Sequence, residues 1–115
     1  MNIKSEKGFT LMELMVAIAL IGILSLVGVP IYNEARETAR VSADATNVRT
    51  LESVTEYWEM QSGTTTNEFL SANHDERMLK EHLVGTWVKN LPSDPWKRNR
   101  EYSLTNGKWQ LLGKP

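Results

Sequence analysis

The sequence predicts an α+β protein in which a long N-terminal helical spine, apolar in its first half and amphipathic in its second, carries a small C-terminal antiparallel β-sheet on its distal half. Three observations predict it. From Leu14 to Ile31 there are 18 consecutive residues without a formal charge, the length at which an apolar run reads as a membrane-spanning helix. Beyond Pro30 the chain turns abruptly to helix-forming residues of both charges, with neither glycine nor proline before Gly63. Near the C-terminus Asn106-Gly107 separates two short alternating segments, the strongest local signal for a two-residue β-hairpin.

With 115 residues the chain has room for one small domain once the apolar helix is set aside. Its 13 basic and 14 acidic residues nearly cancel, so there is no basic field for nucleic acid and no acidic tail, and no nucleic-acid binding is expected. The absence of cysteine removes disulfides, thiolate chemistry and cysteine-built zinc sites, which leaves the exposed domain to packing alone.

Residues 1–8 are polar and carry Lys4 and Lys7 directly against the apolar run, which places that end on the cytoplasmic side and the remainder outside. Glu13 sits at the mouth of the apolar segment, where an acidic residue is costly and therefore a candidate for function. An ordinary secretory signal is cut after its apolar core at a small-x-small site. Leu26 to Ala35 offers only a poor one, whereas a cut after Gly8 suits an extended backbone, because glycine has no side chain to obstruct a peptidase.

Gly8-Phe9-Thr10-Leu11-Met12-Glu13, followed by Leu14-Met15-Val16-Ala17-Ile18, resembles the prepilin processing motif of type IV pilins and of the related type II secretion and competence pseudopilins. Pro30 falls where that family usually has a proline. The resemblance implies the pilin fold, cleavage by a prepilin peptidase between Gly8 and Phe9, N-methylation of Phe9, and assembly of subunits through Phe9, Glu13 and Pro30. It divides the chain into a leader (1–8), an apolar transmembrane and assembly helix (9–32), an amphipathic continuation (33–62) and a small globular region with a short helix and a hairpin (63–115).

Electrostatics supplies a role for Glu13 beside that resemblance. Stacked apolar helices would bury the carboxylate, and the cleaved Phe9 amine of an adjacent subunit would turn two costly charges into one pair, which fixes axial register. The competing explanation is local: Thr10-x-x-Glu13 has the spacing of a capping box, and an acid in the first turn complements the helix dipole. Pro30, with Gly22 and Gly28 nearby, predicts a kink or local unwinding over Leu26 to Pro30. The same small residues also suit close helix packing.

In the amphipathic half, Val41, Ala45, Val48, Leu51, Val54 and Trp58 recur at spacings of three and four and predict the face that carries the domain. Glu34, Arg36, Glu37, Arg40, Asp44, Arg49 and Glu52 predict a solvated face. Gly63 and the polar stretch Thr64 to Asn67 predict helix end and loop. A short helix is expected over Asp75 to Leu83, capped by Asn73, with Met78, Leu79 and Leu83 as its apolar stripe. His74 and His82 lack the i, i+4 spacing of a helical metal pair and are expected at the surface.

Thr86-Trp87-Val88 is expected as a short strand and Leu91 to Trp96 as loop. In the hairpin the two-residue turn sets Thr105 opposite Lys108, Leu104 opposite Trp109 and Tyr102 opposite Leu111, which puts Tyr102, Leu104, Trp109 and Leu111 on the face toward Val48, Leu51 and Trp58. The four tryptophans, Trp58, Trp87, Trp96 and Trp109, are expected in the core, with an exposed adhesive or recognition patch as the alternative for Trp96.

Leu91-Pro92-x-Asp94-Pro95-Trp96 is similar to a segment typical of type II secretion major pseudopilins, which continue with Gly-x-Pro-Tyr and a calcium-binding loop. Here Lys97 to Tyr102 has neither the glycine nor the proline. Calcium takes six to eight oxygen ligands, which Asp94, Asn99 and Glu101 do not supply among three basic residues, so no metal and no cofactor is expected. Nor is there a paired-carboxylate, nucleophile-base or phosphate-loop constellation, and the chain is not expected to be an enzyme.

The function these features imply is that of a pilin or pilin-like structural subunit, cut by prepilin peptidase and polymerised through its N-terminal helices into a type IV pilus or a pilus-like filament. The alternatives are the major pseudopilin of a type II secretion system or competence pseudopilus, and a single-pass membrane-anchored binding domain that never polymerises. Its implied partners are other copies of itself, prepilin peptidase, an inner-membrane assembly platform and the membrane before assembly. The precursor would sit in the inner membrane as a single-pass protein, and the product in an extracellular pilus or periplasmic pseudopilus.

Overall fold

The computed structural model describes residues 7–72 and 74–112. Helix α1 spans Leu11–Ser62, 52 residues. It is followed by α2 (Thr66–Ser71), α3 (Glu76–Leu83), and the antiparallel pair β1 (Tyr102–Thr105) and β2 (Lys108–Leu111). This is the predicted α+β architecture, and the chain divides into two compact units, one ending at Glu37 and the other beginning at Thr38.

In the first unit the large apolar side chains are exposed among the described residues. Leu14, Ile18, Leu20, Leu24 and Leu26 are all more than half exposed. The segment is long and apolar enough to cross a membrane by length and composition. Ser25 donates its hydroxyl to the carbonyl of Ile21 at 2.8 Å, which pairs its own donor on an apolar surface. In the single chain α1 is helical throughout with Pro30 inside it; the unwinding over Leu26 to Pro30 was expected of the assembled state. Proline removes one backbone hydrogen bond, and the ordinary turns on either side carry the helix across that single loss.

The second unit is built on one stripe of α1. Leu51 is fully buried and Trp58 nearly so, and Val48 and Val54 pack beside them. α3 adds Leu79 and Leu83, one turn apart and fully buried, and the hairpin adds Tyr102, Trp109 and Leu111. The predicted stripe is correct from Val48 onward and shifted before it, since Val41 and Ala45 are exposed while Asp44 is buried. Trp58 and Trp109 are core residues; Trp87 and Trp96 are half-buried against that core.

Local chemistry explains the element ends. Gly63 takes φ 70° and donates its N–H to Glu59 O at 3.0 Å, a left-handed cap that ends α1. The expected loop over Thr64 to Asn67 instead starts α2. Thr65 Oγ1 accepts from Glu68 N at 3.3 Å and Glu68 Oε2 from Thr65 N at 3.1 Å, a reciprocal capping box. α3 is preceded by Asp75 as its cap residue, without a side-chain cap bond, and the expected cap Asn73 lies outside the described residues. No strand forms over Thr86 to Val88. A tight loop with Gly85 at φ 87° leaves only an isolated parallel bridge between Val84 and Val88, because Gly85 N already donates to Val88 O at 2.7 Å and Trp87 and Val88 donate back to Leu83 O. The hairpin has the predicted register, with Asn106 and Gly107 both at positive φ, as a type I′ turn requires.

Candidate functional site

The residues singled out for processing and assembly lie at the start of α1. Gly8 and Phe9 precede the helix, and Phe9 is 94 % exposed. Thr10 caps it: Thr10 N donates to Glu13 Oε2 at 2.9 Å and Glu13 N donates to Thr10 Oγ1 at 3.2 Å. The structure thus joins Thr10 and Glu13 as a capping box, so Glu13 stabilises the first turn here whatever else it does. Phe9 carries no free amine in this uncut chain. Pro30 lies 17 residues beyond Glu13, about 26 Å along the helix, so Pro30 and Glu13 are separate features of one surface. Where the apolar segment ends, the Arg36 guanidinium sits 5.7 Å from the centre of the Tyr32 ring, an aromatic and basic pair of the kind found at membrane–water boundaries.

A second group of polar residues, assembled by the second unit, was not foreseen. Asp94, 7 % exposed, accepts from Trp96 N at 2.9 Å and from Arg100 Nη2 at 3.0 Å through Oδ1. Its Oδ2 accepts from Arg98 N at 2.8 Å and from Arg100 Nε at 3.0 Å. The guanidinium fork grips the carboxylate at both oxygens and also lies 5.2 Å from the centre of the Trp96 ring. Hydrogen bonds from Arg100 hold the Asp94 carboxyl well below the usual carboxylate range, and desolvation only partly opposes them. In turn, the bond to Asp94 raises the Arg100 guanidinium above its ordinary value. The loop therefore closes around one carboxylate, with Lys97 and Asn99 at φ 57° and 53° as the strained positions of the turn.

This loop is fastened to α1. Asn47 Nδ2 donates to Ser93 O at 3.3 Å and to Tyr102 Oη at 3.0 Å, and Tyr102 Oη donates to Asp44 Oδ1 at 2.9 Å. Asp44, expected on the solvated face, is 5 % exposed because this phenol claims it. Burial pushes the Tyr102 hydroxyl up to about 12, with Asp44 adding to the shift and the Asn47 hydrogen bond opposing it. Trp109 Nε1 donates to Thr55 Oγ1 at 2.9 Å, a third tie from the hairpin to the helix. The sequence signal for this face was the run Asp44, Val48, Leu51, Thr55 and Trp58, whose alternating spacing of four and three is regular only when its polar members are counted.

The donor chemistry around Asp94 does not fit calcium. A carboxylate offers about four lone-pair sites, and four N–H donors already occupy them. Among the described residues no group of three or more His, Asp or Glu is arranged to hold a metal. His74 and His82 are exposed and flank Phe69, the first stacked at 4.4 Å and the second edge-on at 5.9 Å.

Comparison with known proteins agrees with both ends of the chain. A model of the prokaryotic N-terminal methylation motif matches residues 3–29. The chain is 30 % identical over 109 residues to the type II secretion system core protein G of Vibrio cholerae, covering 88 % of this chain and 73 % of that one. It is 29 % identical over 117 residues to the type II secretion system core protein G of Escherichia coli, covering 93 % and 79 %. It is 51 % identical over 37 residues to the type IV major pilin protein PilE1 of Neisseria gonorrhoeae, covering 32 % of this chain and 22 % of that one. No solved structure matches. A methylation motif at the head of a capped apolar helix, with similarity to core protein G over most of both chains, means that the chain belongs to the pilin and pseudopilin family.

Proposed function

We propose that this chain is a structural subunit that is cut between Gly8 and Phe9 by prepilin peptidase, N-methylated on Phe9, and polymerised into a type IV pilus or pilus-like filament. The observation that carries it is the junction itself: an exposed Gly8-Phe9 pair beside an apolar helical segment, Leu14 to Ile31, whose large side chains are exposed among the described residues. Such a surface needs lipid before assembly and other subunits afterwards. The precursor sits in the inner membrane as a single-pass protein, with Tyr32 and Arg36 at the outer boundary and residues 1–8 in the cytoplasm. Its partners are then the peptidase, an inner-membrane assembly platform and further copies of itself. Glu13 pairs with the Phe9 amine of the neighbouring subunit, and the segment around Pro30 unwinds as the helices pack. The subunit acts through shape and assembly and performs no reaction of its own.

A second reading, the major pseudopilin of a type II secretion system, is favoured by the relatives aligned over most of the chain, which are core proteins G. The type IV pilin PilE1 and a fimbrial protein of Pseudomonas aeruginosa match over shorter stretches, 37 and 53 residues. Intact-mass measurement of the protein from its own cells tests the proposal: a mature chain beginning at methylated Phe9 supports it, and an uncut chain retaining residues 1–8 overturns it. Electron microscopy of sheared surface material separates long pili from short envelope-spanning pseudopili, and the absence of either supports a non-polymerising anchored domain instead.

A further inference from the structure

Four hydrogen bonds within the loop between Leu91 and Tyr102 converge on the Asp94 carboxylate, and the cation closing it is part of the chain. We propose that Arg100 is a built-in substitute for a divalent cation, so that this loop folds, and the subunit reaches its assembly-competent form, without calcium.

Three observations carry the proposal. First, the coordination of Asp94 is complete: each oxygen takes one backbone N–H and one guanidinium N–H, all between 2.8 and 3.0 Å. A calcium ion binds oxygens at about 2.3–2.6 Å and needs six to eight of them. To reach Asp94 it would have to displace donors whose own partners would then be lost, and it would meet a guanidinium carrying the same sign of charge.

Second, among the described residues no group of three or more acidic or histidine side chains is gathered there. The Glu101 side chain is 83 % exposed and lies 3.9 Å from Lys80 Nζ, and Asn99 is exposed at φ 53°. Third, the guanidinium is itself fixed. Arg100 is half-buried, rests against the Trp96 ring, and feels the Asp44 charge as well as Asp94. A planar fork held in this way gives both directionality and charge at one site, the two things a bound metal would supply. The loop it closes is the one fastened to α1 through Asn47 and Tyr102, so the cation holds the C-terminal segment onto the spine.

The inference goes beyond the proposed filament function and is tested on the detergent-solubilised full chain, where polymerisation plays no part. Thermal melting of the wild-type chain is followed in excess EGTA, in calcium chloride at about 1–10 mM, the concentrations at which extracellular modules bind the ion, and in magnesium chloride as an ionic control. The expected result is a melting temperature that agrees within about 1 °C in all three, with no calcium binding by calorimetry. Arg100→Gln is expected to melt roughly 5 °C lower, as loss of a buried network member does in a small domain, and Arg100→Lys to fall between, because it keeps the charge and loses the fork. A saturable rise of the wild-type melting temperature in calcium but not magnesium overturns the proposal. So does an Arg100→Gln chain that melts with the wild type. Should Arg100→Gln fail to fold, the wild-type titration and Arg100→Lys still decide. A failure here leaves the intact-mass test of the filament reading untouched, and the reverse also holds.

Discussion

Tyr102 is the residue whose ionisation most directly reports the fastening of the hairpin to α1. Its hydroxyl donates to Asp44 and accepts from Asn47, and burial raises its pKa from 10.0 to about 12. A group raised in the folded state contributes stability that is fully present below its unfolded value and is lost as pH rises through the folded one. Tyr102→Phe is therefore expected to cost about 1.5–3 kcal/mol at pH 7, the worth of a hydrogen bond to a charged partner. The gap from wild type should close between pH 10 and pH 12. Urea titrations of both chains across that window check this, and a gap that persists at pH 12 would show that the hydroxyl is not the titrating group. The stability Asp94 supplies runs the other way: its carboxyl is depressed, so that contribution is intact above about pH 4 and is lost only as pH falls toward the native value. Neither contribution was legible in the sequence. The partner of Asp44 lies 58 positions away, and no spacing rule connects two residues that only the fold brings together.

At the scale of elements, those written in local chemistry were legible and those written in tertiary contact were not. Asn106-Gly107 fixes a hairpin whose register follows from the pleat alone, and the three predicted Cα pairs are all found. α2 was equally local, since Thr65-x-x-Glu68 announces a capping box, but three consecutive threonines obscured it by their preference for extended backbone. Thr65→Ala is expected to cost about 1 kcal/mol, read as faster amide exchange confined to Thr66–Ser71. Leu51→Ala, at the fully buried centre of the core, should cost about 2–5 kcal/mol and lower the melting temperature of the whole second unit. The segment Leu91 to Trp96 was legible as a loop, but its closure on Asp94 by Arg100 was not, because a side-chain contact at its centre organises it. Pro30 belongs to this scale too: α1 is helical across it, so any unwinding is a property of assembly. Pro30→Ala removes a residue that costs a helix about 3 kcal/mol relative to alanine. It should leave processing unchanged and lower filament yield several-fold if extension at Pro30 is part of assembly. Wild-type yield from this variant would show that assembly does not use that weakness.

For the whole molecule, one carboxylate is asked to do two things. In the single chain Glu13 caps its own helix, and in the proposed filament it neutralises the Phe9 amine of a neighbour. The two roles separate chemically, because glutamine at the third helical position still accepts the cap N–H but has no charge to pair. Glu13→Gln should therefore leave helicity and cleavage after Gly8 unchanged and still depress filament yield. Glu13→Val should lose the cap as well. Leaving one member of a buried ion pair bare costs about 3–5 kcal/mol, and every 1.4 kcal/mol is about tenfold in an association constant, so yields of sheared filament are expected to fall by at least about tenfold in both variants. Intact mass confirms that processing is unaffected, and circular dichroism of the solubilised chain confirms the helix. If Glu13→Gln assembles at the wild-type level while Glu13→Val does not, the carboxylate works through the capping box alone, and register must come from the packing of the apolar side chains between Leu14 and Ile31.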